Sequence, residues 1–70
     1  MTAITARERL CLLLCAAGRS DDEIACEMGR SAKTVRLYLS SATEKLGAKS
    51  RAHAIVSALA AGIISLDDCK

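Results

Sequence analysis

The sequence predicts an all-α fold: a four-helix domain containing a helix-turn-helix. Three observations predict it. The 70-residue chain is rich in Ala, Leu and Ile, holds no Pro, Trp or Phe, and shows no strand-like alternation. Thr or Ser stands where each helix would start, and a glycine closes each segment, at Gly18, Gly29, Gly47 and Gly62. The linkers between segments are only three or four residues long. Helices over about 6–17, 21–28, 32–46 and 51–61 leave room for one domain, 1–70, with a folded core over 3–64 and a tail over 65–70.

The first helix opens on a capping box, Thr5-Ala-Arg-Glu8, with Ile4 placed as a hydrophobic staple. Cys11, Leu12, Cys15 and Ala16 form one apolar stripe. Leu10, Leu13, Leu14 and Ala17 extend apolar character round most of the rest. A helix apolar on nearly every side is buried on more than one. The expected outer contact is another domain, a partner subunit or RNA polymerase; the simpler alternative is an exposed leucine. The second helix opens on Ser20-Asp-Asp-Glu23, a second capping box, with Asp21 and Asp22 suited to the positive end of the helix dipole. The tight turn Gly29-Arg30-Ser31 joins it to the third helix with the spacing of a helix-turn-helix, which many αα corners share.

In the third helix, Val35, Leu39, Ala42 and Leu46 recur at four, three and four, so they share one face. Lys33, Arg36, Leu37, Ser40 and Glu44 fall opposite. Ser50 caps the fourth helix. Its Ala54, Ile55, Ala58 and Gly62 make a core-like stripe, and Ala52, Val56, Leu59 and Ala60 make a second one. With one side already buried, the second stripe is available to a two-fold partner; alternatively both pack inside the monomer.

Net charge is only +2, but its distribution is uneven. Residues 20–27 carry Asp21, Asp22, Glu23 and Glu27 and no base. Residues 30–51 carry Arg30, Lys33, Arg36, Lys45, Lys49 and Arg51 against Glu44 alone, a local charge of +5. Such a patch suits a polyanion, as it also suits a solvated face. Placed on the outward side of a helix behind a tight turn, it points to double-stranded DNA, with that helix in the major groove. The single Tyr argues against base stacking on single strands. Arg36 can donate two parallel bonds to guanine O6 and N7, or reach a phosphate instead. Leu37 can touch a thymine methyl, and Ser40 can bond a base edge or a phosphate. Arg30, Lys33, Lys45 and Lys49 supply positioning charge, and the free N–H groups at Ser31, Ala32 and Lys33 can face a phosphate.

Arg51 has a different expectation. A cation in a first helical turn is disfavoured by the dipole, so a carboxylate must offset it, with Glu8 or Glu23 as candidates. His53, the sole histidine, fits an interface rather than a site of catalysis. Cys11, Cys15, Cys26 and Cys69 form no Cys-x-x-Cys pair. They read as reduced, buried thiols of a cytoplasmic protein, with Cys69 exposed in the tail and no metal site. No secretory signal or membrane span is expected, since the apolar run 10–17 is too short. No nucleophile–base pair, phosphate loop or carboxylate pair is present, so the chain is expected not to be an enzyme and to need no cofactor.

Taken in order, Ile-Thr-Ala-Arg-Glu-Arg (4–9), Ala-Ala-Gly-Arg-Ser (16–20), Glu-Ile-Ala (23–25), Ser-Ala-Lys-Thr-Val-Arg (31–36), Glu-Lys-Leu-Gly-Ala-Lys-Ser-Arg (44–51) and Gly-Ile-Ile (62–64) resemble the LuxR/FixJ-type (GerE-like) bacterial helix-turn-helix domain. The resemblance covers residues 4–64. It implies a DNA-binding transcriptional regulator whose third helix reads DNA and whose fourth forms a homodimer contact, here Ala52, His53, Val56, Leu59 and Ala60. It implies base or phosphate contact by Arg36 and phosphate contact by Thr34 and Lys45. The domain most often follows a ligand-binding or receiver domain, and some members are the bare domain. This chain departs from the pattern at four places. Asp21-Asp22 replaces Asn-Lys and would repel phosphate. Arg30 replaces an aliphatic residue. Tyr38 replaces His, its hydroxyl either reaching a phosphate or finishing the core edge. Ala42 replaces a larger aliphatic and thins the core. The acidic pair also leaves open a protein–protein or dimerisation module with weak or lost DNA binding.

Overall fold

The computed structural model describes residues 3–65. It has four helices, α1 (Ala6–Ala16), α2 (Asp21–Met28), α3 (Ala32–Lys45) and α4 (Arg51–Ala60), and no strand among the described residues. Three helices end one residue short of expectation because Ala17, Leu46 and Ala61 act as C-caps, their N–H groups bonded into the preceding turn. Both capping boxes are closed. Glu8 Oε1 accepts the Thr5 N–H at 2.8 Å, and Glu23 Oε1 accepts the Ser20 N–H at 2.9 Å. Ser31 and Ser50 cap α3 and α4 by accepting N–H groups from Thr34 and His53, each at 3.1 Å.

Helix α3 lies at the centre and packs on α1, α2 and α4. Its Val35, Leu39 and Ala42 are buried with Cys11, Leu12, Ile24, Ala54 and Ala58, while Leu46 is partly covered. The core contains no aromatic ring. The fully buried alanines, Ala42 on α3 and Ala54 and Ala58 on α4, leave little side chain between packed helices. Beyond α4, the N–H groups of Ile63 and Ile64 both point to the Ala58 carbonyl, at 2.9 and 3.4 Å, and Ile64 is buried. The Arg9 guanidinium donates to the Ile63 carbonyl at 2.8 Å, tying this end to α1.

Two expectations about apolar residues need correction. Leu13, placed on the outward half of α1, is buried; of the leucines there Leu10 is exposed and Leu14 half-buried. Helix α1 packs on α2, α3 and α4, so the cover over Leu13 comes from its own domain. Cys26 is exposed, not buried, while Cys11 is fully buried and Cys15 partly so. Burial, then the nearby Cys15, Glu8 and Asp21, pushes the Cys11 thiol up to about 11, which keeps it protonated. Its Sγ donates to Met28 Sδ at 3.4 Å. Cys69 lies outside the described residues.

The buried carboxylate among the described residues is Glu8. Burial alone would raise its pKa. Hydrogen bonds from Lys45, Ser41 and Thr5 overcome that and hold it at about 2. The Lys45 ammonium sits 2.6 Å from Glu8 Oε1, with its side chain 18 % exposed. Lys45, expected to hold a phosphate, here turns its ammonium inward and joins the end of α3 to the start of α1. Among the described residues, no helix is long and apolar enough to cross a membrane, and no three His, Cys, Asp or Glu side chains group to hold a metal.

Candidate nucleic-acid interface

The surface begins at the turn between α2 and α3. Gly29 takes the left-handed conformation, φ +65°, and its N–H and that of Arg30 return to the α2 carbonyls of Cys26 and Ala25. The chain reverses there and Ser31 caps α3 two residues later. Ser31 Oγ, having accepted the Thr34 N–H, also lies 3.0 Å from Thr34 Oγ1. One hydroxyl proton of that pair lies between the two oxygens, and the other is available to an acceptor in solvent. Ser31 is exposed and Thr34 half-buried, and the pair stands at the helix start beside its first free N–H groups.

Along α3, Lys33, Arg36, Leu37, Ser40 and Glu44 are all exposed, opposite buried Val35, Leu39 and Ala42. Among the described residues, the side chains of Arg30, Lys33, Arg36 and Lys49 make no hydrogen bond or ion pair; Lys33 and Arg36 stand on this face, Arg30 lies in the turn before α3 and Lys49 in the segment after it. Glu44 stands at its far end. Acid there and bases near the start make the first two turns of α3, not its full length, the part suited to an anion. Tyr38 is half-buried and packs on the core edge. Lys49 precedes α4, where its backbone N–H donates to His53 Nδ1 at 3.1 Å.

The six bases of residues 30–51 therefore divide into two groups. Arg30, Lys33, Arg36 and Lys49 are free, whereas Lys45 and Arg51 bind carboxylates of the fold. Arg51 is structural as expected, but its partner is Asp21, through Nη1 at 2.8 Å and Nη2 at 3.3 Å. Glu8 and Glu23 are already held by their capping boxes. Asp21, the residue the sequence offers only as a dipole partner, thus neutralises a cation and links α2 to α4. Asp22 beside it is exposed.

On α4, Ala52, His53, Val56 and Ala60 are exposed, Val56 by 61 %, while Leu59 is half-buried against the core. The first four form an outward face on the helix. Arg36, Leu37 and Ser40 stand on a different helix, so reading face and α4 face are separate surfaces of one body.

The profile of the luxR family of bacterial regulatory proteins matches residues 2–58. The chain is 37 % identical over 62 residues to the transcriptional activator protein AhyR of Aeromonas hydrophila, which covers 89 % of this chain and 24 % of that protein. It is 44 % identical over 62 residues to the transcriptional activator protein VanR of Vibrio anguillarum, covering 89 % and 26 %. With the spore germination protein GerE of Bacillus subtilis (strain 168) it shares 41 % over 63 residues, covering 90 % of this chain and 85 % of that one. The chain thus spans about a quarter of the length of the two activators. A solved structure of the transcription factor GerE superposes with a TM-score of 0.89 at 36 % identity, covering 96 % of this chain and all of that one.

Proposed function

The chain belongs to the luxR family of bacterial regulatory proteins, and from that premise we propose that it is a DNA-binding transcriptional regulator that lays the first turns of α3 in a major groove and binds as a homodimer through α4. The observation that carries this reading is the exposed face of α3, where Lys33 and Arg36, without an ion pair among the described residues, stand with Leu37 and Ser40. Arg36 contacts a base edge, and Ser40 a base or phosphate beside it. Arg30, Lys33, Lys49 and the Ser31–Thr34 hydroxyl pair hold phosphates, with Tyr38 at the margin. Lys45 takes no part, and Asp22 keeps α2 from adding affinity.

Three phosphate-binding cations per monomer predict a log K against log salt slope of about −3 per monomer, or −5 to −6 for a dimer. Fluorescence anisotropy on a duplex, titrated between about 50 and 200 mM salt, measures it. Lys33→Ala should reduce the slope by about 1. Absence of binding to any duplex at low salt would overturn the reading.

The dimer rests on the exposed α4 face centred on Val56. Val56→Glu places two like charges across a two-fold contact. Affinity for a duplex with two half-sites should fall by about tenfold or more, roughly 1.4 kcal/mol. Affinity for a single half-site should not change. Equal loss on both duplexes would remove α4 from the dimer contact.

A further inference from the structure

We propose that Leu37 makes this domain selective for the C5 methyl group of a pyrimidine, so that each half-site contains one thymine whose methyl it requires and that 5-methylcytosine can replace. The proposal rests on α3 lying in the major groove. Leu37 is 61 % exposed and is the large exposed hydrophobic residue of α3. The core does not use it, because Val35, Leu39 and Ala42 on the opposite side are buried. Its helical neighbours are Lys33 one turn before it and Ser40 and Ser41 one turn after it. An isolated leucine with such neighbours fits a surface that is anionic overall and apolar at one point. In the major groove the C5 methyl of a pyrimidine is that point, since the other groups on the base edges are hydrogen-bond donors and acceptors.

Position on the helix separates this contact from that of Arg36. Adjacent residues stand about 100° apart around the axis. Arg36 and Leu37 therefore occupy opposite shoulders of the free face, with Lys33 and Ser40 between them. They contact different base pairs, and a guanine for Arg36 and a methylated pyrimidine for Leu37 make two independent terms of recognition. Covering one methyl group corresponds to about a fourfold change in affinity.

The test uses the full chain and a duplex selected by it from a random pool. Each thymine is replaced singly by deoxyuridine, which removes only the methyl. At one thymine per half-site the replacement should weaken binding about fourfold. In Leu37→Ala the affinity for the thymine site should fall, and the thymine-to-uracil ratio at that position should approach one. Replacing the pair by cytosine–guanine, with and without a C5 methyl, should give the same preference in the wild type and none in the variant. The wild-type ratio stands whether or not the variant folds. A ratio of one at every thymine, or a ratio that persists in Leu37→Ala, would overturn the role of Leu37 while binding that depends on Arg36 stays intact. Failure to bind any duplex at low salt would remove the parent reading as well.

Discussion

At pH 7, Glu8→Ala is expected to lose about 3–5 kcal/mol of folding stability, read by urea denaturation followed by circular dichroism. A domain of this size has only a few kcal/mol in total, so the variant should be largely unfolded at 37 °C. Two structural losses combine. The capping box of α1 opens, because Glu8 Oε1 accepts the Thr5 N–H. The Lys45 ammonium, whose side chain is 18 % exposed, is left without its carboxylate. A polar group stranded in this way is more destabilising than a pair removed together. The double variant Glu8→Ala with Lys45→Met should therefore lose less than the sum of its two single variants, and the cycle should show coupling of about 1 kcal/mol or more. Strict additivity would mean that the ion pair does not contribute to stability.

The same carboxylate sets an acid limit. Its pKa is lowered from 4.5 to about 2 in the folded domain. A depressed folded pKa gives stability that is present above the unfolded value and lost as pH falls through the folded one. The wild type should accordingly lose up to about 3 kcal/mol between pH 5 and pH 2. Glu8→Gln, which has nothing to protonate there, should lack that component of the pH dependence. An identical slope in both proteins would show that Glu8 is not the controlling group.

Arg36→Ala should weaken binding to a selected half-site by about 1–3 kcal/mol, which is roughly 5- to 150-fold. The melting temperature should not move, because the side chain is exposed and makes no hydrogen bond or ion pair among the described residues. Arg36→Lys separates the two contacts open to a guanidinium. If Arg36 grips guanine O6 and N7, a lysine point charge loses the paired geometry and the site preference relaxes at one position. If it holds a phosphate, lysine restores most of the affinity and the preference is unchanged. We expect the first result. Binding untouched by Arg36→Ala would remove α3 as the reading helix.

Much of the fold was legible because its signals are short in range. A capping box needs residues three apart, and Thr5–Glu8 and Ser20–Glu23 both closed as the sequence predicts. The face of α3 follows from a period of 3.6 residues, and Val35, Leu39 and Ala42 are buried as expected. Leu13 was less legible. An all-round apolar helix says that several sides are covered, not whether the cover is its own domain or a partner. Cys26 misled for a related reason, since cysteine is often buried by habit, yet its place on α2 faces away from α3.

The sequence by itself determined the four helices, their caps, the turn before α3 and the family to which the chain belongs. It also determined which residues α3 turns away from the core. What only the tertiary structure decided was the use of the charges. Glu8 and Lys45 are 37 residues apart, and Asp21 and Arg51 are 30 apart. No helical period or cap relates such positions; they meet because α3 packs on α1, and because α4 lies where its first turn reaches the start of α2. That packing pairs two of the six bases with carboxylates of the fold. Among the described residues it leaves Arg30, Lys33, Arg36 and Lys49 unpaired, and with them the narrow face on which Arg36, Leu37 and Ser40 stand.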